Sequence, residues 1–180
     1  MPVAAYGVYM KVHQMVTLIG IGLGQGVQPI FGYYFGAKKF GRFIKTLRYS
    51  CIYGFLFCLG ATVLCCLFIN QIVGIFLTDL EALNYAVTFS KILLSTAWLF
   101  GIFYTTVNVL QGIGASRPSF WVSISRQGLI YIPMTFILNF LIGLYGLVWA
   151  QPIVDIVSLV LATILLFNTL KNFNIKLKFC

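Results

Sequence analysis

The sequence predicts an all-α membrane protein, a polytopic transmembrane bundle of about five spanning helices. Of the 180 residues, 61% are hydrophobic and 8% are charged, where soluble domains run at roughly 45–50% and about 25%. Mean hydropathy is +0.98. A lipid-exposed backbone must satisfy its own hydrogen bonds, so the apolar runs are expected to be helices. At roughly 20 apolar residues per crossing plus loops, the length holds one domain of about five crossings.

In chain order, spans are predicted at 4–35, 50–77, 83–111, 120–144 and 146–167. Loop charges alternate between them: basic after the first span, acidic after the second (Asp79, Glu81), Arg117 after the third, none after the fourth, and basic at the tail (Lys171, Lys176, Lys178). That alternation predicts the N-terminus outside and the C-terminus in the cytoplasm. Five of the twelve basic residues, Lys38, Lys39, Arg42, Lys45 and Arg48, occupy the first loop. The formal charge of +9 is thereby explained by topology, and no nucleic-acid partner is expected. In the same loop Phe40, Phe43, Ile44 and Leu47 recur at i, i+3, i+4 and i+7. This spacing predicts an interfacial amphipathic helix over 38–48 that contacts anionic headgroups, with membrane lipid as the partner.

The chain opens on Met1-Pro2-Val3-Ala4-Ala5 without a positive leader, and the following apolar run is too long for a signal-peptide core. It reads as a chain starting at an internal methionine. Cys51, Cys58 and Cys65 repeat every seven residues as a small-residue packing stripe. With Cys66 and the terminal Cys180 they form no CxxC pair, and neither a disulfide framework nor a metal site is expected. Cys180 lacks the three following residues that prenylation needs.

Polar residues inside the spans carry the functional signal. Gly20, Gly24, Gly32 and Gly36 form an every-fourth-residue series in the first span, with Gln28 in the remaining place. Small residues so spaced let a neighbouring backbone approach closely. His13, Gln14, Thr17, Gln25 and Gln28 fall within about a third of the same helical wheel. His13 is taken as a satisfied core histidine. Ala97, Gly101, Tyr104, Thr105, Asn108, Gln111 and Gly112 repeat the pattern in the third span. Such stripes face either other helices or a water-filled cavity. Two of them suggest a shared cleft in which Tyr104 and Asn108 suit amphipathic organic substrates.

Two charges lie within apolar sequence, Arg126 in SRQGLIYIP and Asp155 in QPIVD. A charge at mid-bilayer costs about 2.5 to 3.5 kcal/mol on insertion scales, so each needs a reason. Arg126 is near enough to its loop to snorkel toward the cytoplasm. Asp155, beside Gln151, Pro152 and Ser158, is either structurally paired or exchanges a proton or cation. Pro29, Pro133 and Pro152 fall inside spans, where broken helices are common in transporters.

GLGQGVQPIFGYYFGAKK, SRQGLIYIP and GLYGLVWAQPIVD, in that order, resemble the C-terminal lobe of multidrug and toxic compound extrusion (MATE) transporters. The resemblance covers nearly the whole chain, at helices eight to twelve of twelve. It implies a plasma-membrane antiporter whose two lobes rock about a central cavity, expelling drugs in exchange for protons or sodium, with no other cofactor. It also implies a missing N-terminal lobe, or a second polypeptide, as partner. Family carboxylates on the first or seventh helix lie outside this chain, and the tenth-like span, 83–111, contains no acid. Coupling chemistry therefore cannot be transferred residue by residue. Gln25, Gln28, Tyr104, Asn108, Gln111 and Arg126 remain the substrate-cavity candidates, and Asp155 the cation-coupling candidate. Flippases for lipid-linked precursors share the architecture, and a non-transporting subunit or degenerate fragment is a further alternative. An enzyme is not expected, since no paired carboxylate or nucleophile beside a base is present.

Overall fold

The computed structural model describes residues 2–76 and 80–173, and every regular element within them is a helix. The helices are α1 (Pro2–Gly36), α2 (Phe40–Leu67), α3 (Ile69–Phe76), α4 (Leu80–Ala97) and α5 (Phe100–Gly112). They continue with α6 (Ser116–Ile124), a π-helical turn (Ser125–Leu129), α7 (Tyr131–Ile142) and α8 (Leu144–Asn172). The predicted loop charges at Asp79, Lys176 and Lys178, and the terminal Cys180, lie outside the described residues.

Three stretches, 6–36, 40–67 and 146–172, are each long and apolar enough to cross a bilayer, and α4 with α5 makes a fourth as a pair bent by 51°. The region predicted as the span 120–144 is built from α6, the π turn and α7, no one of which is long enough alone. The separate interfacial helix expected over 38–48 is a difference from the sequence reading. Those residues are instead the first turns of α2, continuous with the following span. Phe43 and Leu47 are buried in the bundle rather than laid on a membrane surface, because Phe43 packs edge-on to Phe31 of α1 at 5.4 Å.

The bend between α4 and α5 arises without proline. The Trp98 indole N–H donates to the Ser95 carbonyl at 2.7 Å, and the Leu99 amide donates to the Thr96 carbonyl. Side-chain and i→i−3 bonds thus replace the α-helical ladder there, a recognised cause of kinks. The π turn has a different origin. Pro133 has no N–H for the Leu129 carbonyl, and its ring crowds that carbonyl away. The preceding turn widens, with the Ile130 amide donating to the Ser125 carbonyl at 2.9 Å.

Between lipid-solvated helices, close packing rather than water exclusion drives association. The glycine series of α1 lies on α5, where Phe100, Tyr104, Asn108 and Gly112 recur with the same period. A Cβ placed at Gly20 would meet the Tyr104 ring at 2.9 Å, one at Gly24 the Tyr104 carbonyl at 2.9 Å, and one at Gly32 the Gly112 carbonyl at 3.0 Å. Gly36 has open space, so the interlock stops at Gly32. A second close approach joins Gly54 of α2 to Gly101 of α5. Two apolar clusters result, one around Val12, Phe89 and Leu93, the other around Phe31, Phe43 and Leu110, and Tyr104 packs against both. Cys58 is fully buried as a free thiol, as a packing role requires. Phe35 and Phe173 meet edge-on at 4.9 Å, which brings the basic loop after α1 and Lys171 to the same end of the bundle.

Candidate functional site

Three elements converge on one buried ion pair. The π turn carries Arg126, α8 carries Asp155 and Gln151, and α5 carries Phe100, Phe103 and Tyr104. Arg126 Nε donates to Asp155 Oδ1 at 3.0 Å, and Nη2 lies 3.0 Å from the same oxygen. Arg126 Nη1 donates to the Tyr104 hydroxyl at 2.6 Å, and Gln151 Nε2 donates to Asp155 Oδ1 at 3.3 Å. The guanidinium carbon stands 4.9, 4.7 and 5.2 Å from the ring centres of Phe100, Phe103 and Tyr104. Three aromatic faces and a carboxylate thereby replace the hydration that a cation loses on burial.

The pairing is one-sided. Asp155 Oδ1 takes every contact, while Oδ2 is buried with no hydrogen-bond partner among the described residues. Tyr9 Oη, His13 Nε2, Thr17 Oγ1 and Ser158 Oγ are also buried without partners. Buried polar atoms are paired in the great majority of cases, so such a group marks a place for a water, a proton or an ion. Beside the pair lies a cavity of about 270 Å³, walled by His13 and Thr17 of α1, Tyr104, Arg126, Tyr131 and Gln151, with Met10 and Gln127 completing it. Tyr131 also reaches Tyr6, with their hydroxyls 3.3 Å apart.

Of the predicted site residues, the structure brings together Tyr104, Arg126 and Asp155. The snorkelling expected of Arg126 is overturned: the side chain is 6% exposed and held by Asp155 rather than reaching its loop. Of the shared cleft expected between the stripes of α1 and α5, the part at His13, Thr17 and Tyr104 is the cavity beside the ion pair, while from Gly20 to Gly32 the two helices meet directly. Asn108 is buried at that contact beside Gly24, and its Nδ2 donates to the Tyr104 carbonyl of its own helix at 2.8 Å. The Gln28 carbonyl lies against Gly112, while Gln25 and Gln111 are exposed and outside the cavity. Gln25→Ala and Gln111→Ala are accordingly expected to change stability by less than about 0.5 kcal/mol, measured as thermal unfolding in detergent.

Sequence reasoning did not single out Tyr131, Phe100 or Phe103, and it did not pair Arg126 with Asp155. Two lone opposite charges on consecutive spans were the available signal, since intramembrane charges tend to pair with one another. The hairpin turn that unites them uses Gly143 at φ 66°, a left-handed conformation natural to glycine.

A charge pair buried between a π turn and a proline-bearing helix, beside a polar cavity in an all-helical bundle, is a feature common where carriers bind and bend. The MatE family profile matches residues 1–137, and the chain belongs to that family. It is 32% identical over 168 residues to "Multidrug export protein MepA" of Staphylococcus aureus strain NCTC 8325 / PS 47, covering 92% of this chain and 36% of the relative. The Staphylococcus saprophyticus protein of the same name is 29% identical over 167 residues, with the same coverage. Among solved structures, that of the "MATE multidrug transporter DinF-BH" superposes with a TM-score of 0.83 at 30% identity, over 95% of this chain and 38% of that one. The chain thus spans little more than a third of the length of the relatives it matches.

Proposed function

We propose that the chain forms the C-terminal part of a secondary active efflux transporter, exporting small organic, cationic compounds in exchange for protons or sodium. It sits in the plasma membrane with its basic end in the cytoplasm and works with an N-terminal lobe or a second polypeptide. The observation that carries the exchange is the unpartnered Oδ2 of Asp155, an open acceptor on a buried carboxylate whose other oxygen is held by Arg126. Taking up a proton or sodium there weakens the hold on Arg126. The guanidinium is then free to shift toward Tyr104 and the cavity wall, changing the site a substrate meets.

The need for a companion body is supported by the exposed amides Gln14 and Gln25 on α1, which hydrocarbon would leave without partners. Alternating access also requires two bodies moving about a central site. The test is export of a cationic dye from proteoliposomes, driven by a pH or sodium gradient, with this chain joined to its companion lobe. Export is expected with the complete transporter and not with the chain alone. Export by the isolated chain would overturn the two-body requirement, and full export by an Asp155→Asn transporter would overturn the role of Asp155.

A further inference from the structure

A second cavity, of about 240 Å³, lies between α1, α2 and α5 and shares no wall residue with the first. Leu23 and Val27 of α1 face Thr46, Tyr49, Ser50 and Tyr53 of α2 across it. Tyr49 and Tyr53 are stacked at 6.3 Å and are 57% and 66% exposed, so this wall opens outward rather than into the bundle. Positions 42, 46, 49, 50 and 53 recur at i, i+4, i+7, i+8 and i+11, a single helix face. Arg42 therefore continues the tyrosine wall toward the basic end, about 6 Å along the axis from Thr46.

Arg42 is exposed, and no hydrogen bond or ion pair engages its guanidinium among the described residues. Lys39 precedes it by one turn, its ammonium 5.8 Å from the Tyr33 ring centre. Of the three acids in the chain, Asp155 is held by Arg126, and Asp79 and Glu81 come only after α3 in sequence. Among the described residues no acidic side chain pairs with the rim, which stands above a largely apolar slot flanked by tyrosines, rings that favour a membrane interface.

We propose that this cavity and its rim bind one anionic phospholipid, with the phosphate at Arg42 and Lys39 and an acyl chain between the tyrosine wall and Leu23 and Val27. Charge complementarity selects the occupant. A cationic drug would be repelled by the rim, a zwitterionic lipid would bring its own cation to it, and a free phosphate would leave the apolar slot unused.

The test is native mass spectrometry of the delipidated full-length transporter titrated with phosphatidylglycerol or phosphatidylcholine. Preferential retention of phosphatidylglycerol is expected. Arg42→Gln should lower it about five-fold, the effect of one basic residue at an anionic headgroup. Arg117→Gln removes the same charge from α6, away from this cavity, and should leave retention unchanged. Ser50→Leu, which fills the slot, should lower retention while dye export continues. The proposal is overturned if Arg42→Gln and Arg117→Gln act equally, if both lipids are held alike, or if glycerophosphate displaces the lipid as well as an acylated competitor does.

Discussion

Asp155→Leu is expected to destabilise the bundle by about 3–5 kcal/mol, because it leaves the Arg126 guanidinium buried without its counter-ion. Arg126→Leu should cost a similar amount by stranding the carboxylate. The double variant Arg126→Leu/Asp155→Leu removes both charges and is expected to recover most of that loss, since apolar replacement of a buried pair is often neutral or stabilising. Thermal unfolding in detergent of the two single variants and the double variant measures this recovery. Dye export separates the roles of the pair. If the pair only held helices together, the double variant would transport; our account predicts a stable bundle that does not.

The second large effect is expected at the glycines where α5 meets its neighbours. A Cβ at Gly101 would collide with the Gly54 carbonyl and stand 2.9 Å from the Phe55 amide nitrogen, backbone atoms that cannot swing aside. A Cβ at Gly24 would be driven into the Asn108 amide and the Tyr104 carbonyl. Gly101→Val and Gly24→Leu must therefore separate the helices, at a cost of about 1–3 kcal/mol or more. Because α5 also carries Tyr104, the cavity wall would move with it. Gly22→Ala and Gly26→Ala meet nothing within 4 Å and should be neutral or stabilise by up to about 1 kcal/mol, since alanine is the better helix former. Unfolding midpoints of the four variants, compared with equal loss in all, would show whether location or glycine content matters.

Helical character and membrane residence were legible from composition, because 8% charged residues are too few to cover the water-facing surface of a soluble domain, which runs at about 25%. The glycine series was legible as a packing surface through its four-residue period. Its partner was harder to read. Phe100, Tyr104, Asn108 and Gly112 share that period, yet a stripe of polar and small residues looks the same whether it faces water or another helix. Asn108 shows why: bonded to its own helix at Tyr104, it needs no cavity to satisfy it.

Breaks within helices were the least legible features. Pro133 marks the disturbed span, but the π turn it accompanies appears only when the displaced carbonyl has to be rehoused. The bend at Trp98 depends on an indole N–H capturing a backbone carbonyl, a choice that neither glycine nor proline announces. Arg126 sits on one of these breaks, and its long side chain reaches across to Asp155 on the other arm of the Gly143 hairpin. The position of each charge along its helix could be read from sequence; the rotation that points the two side chains at each other could not.

Infrared difference spectroscopy of the complete transporter, recorded on adding a cationic dye, tests most directly whether Asp155 is the exchanging group. A change in the carboxyl C=O region that is present in the parent protein and absent in Asp155→Asn is the predicted result. A carboxyl signal that persists unchanged in that variant, or no carboxyl signal on dye binding with either ion in the buffer, would contradict it.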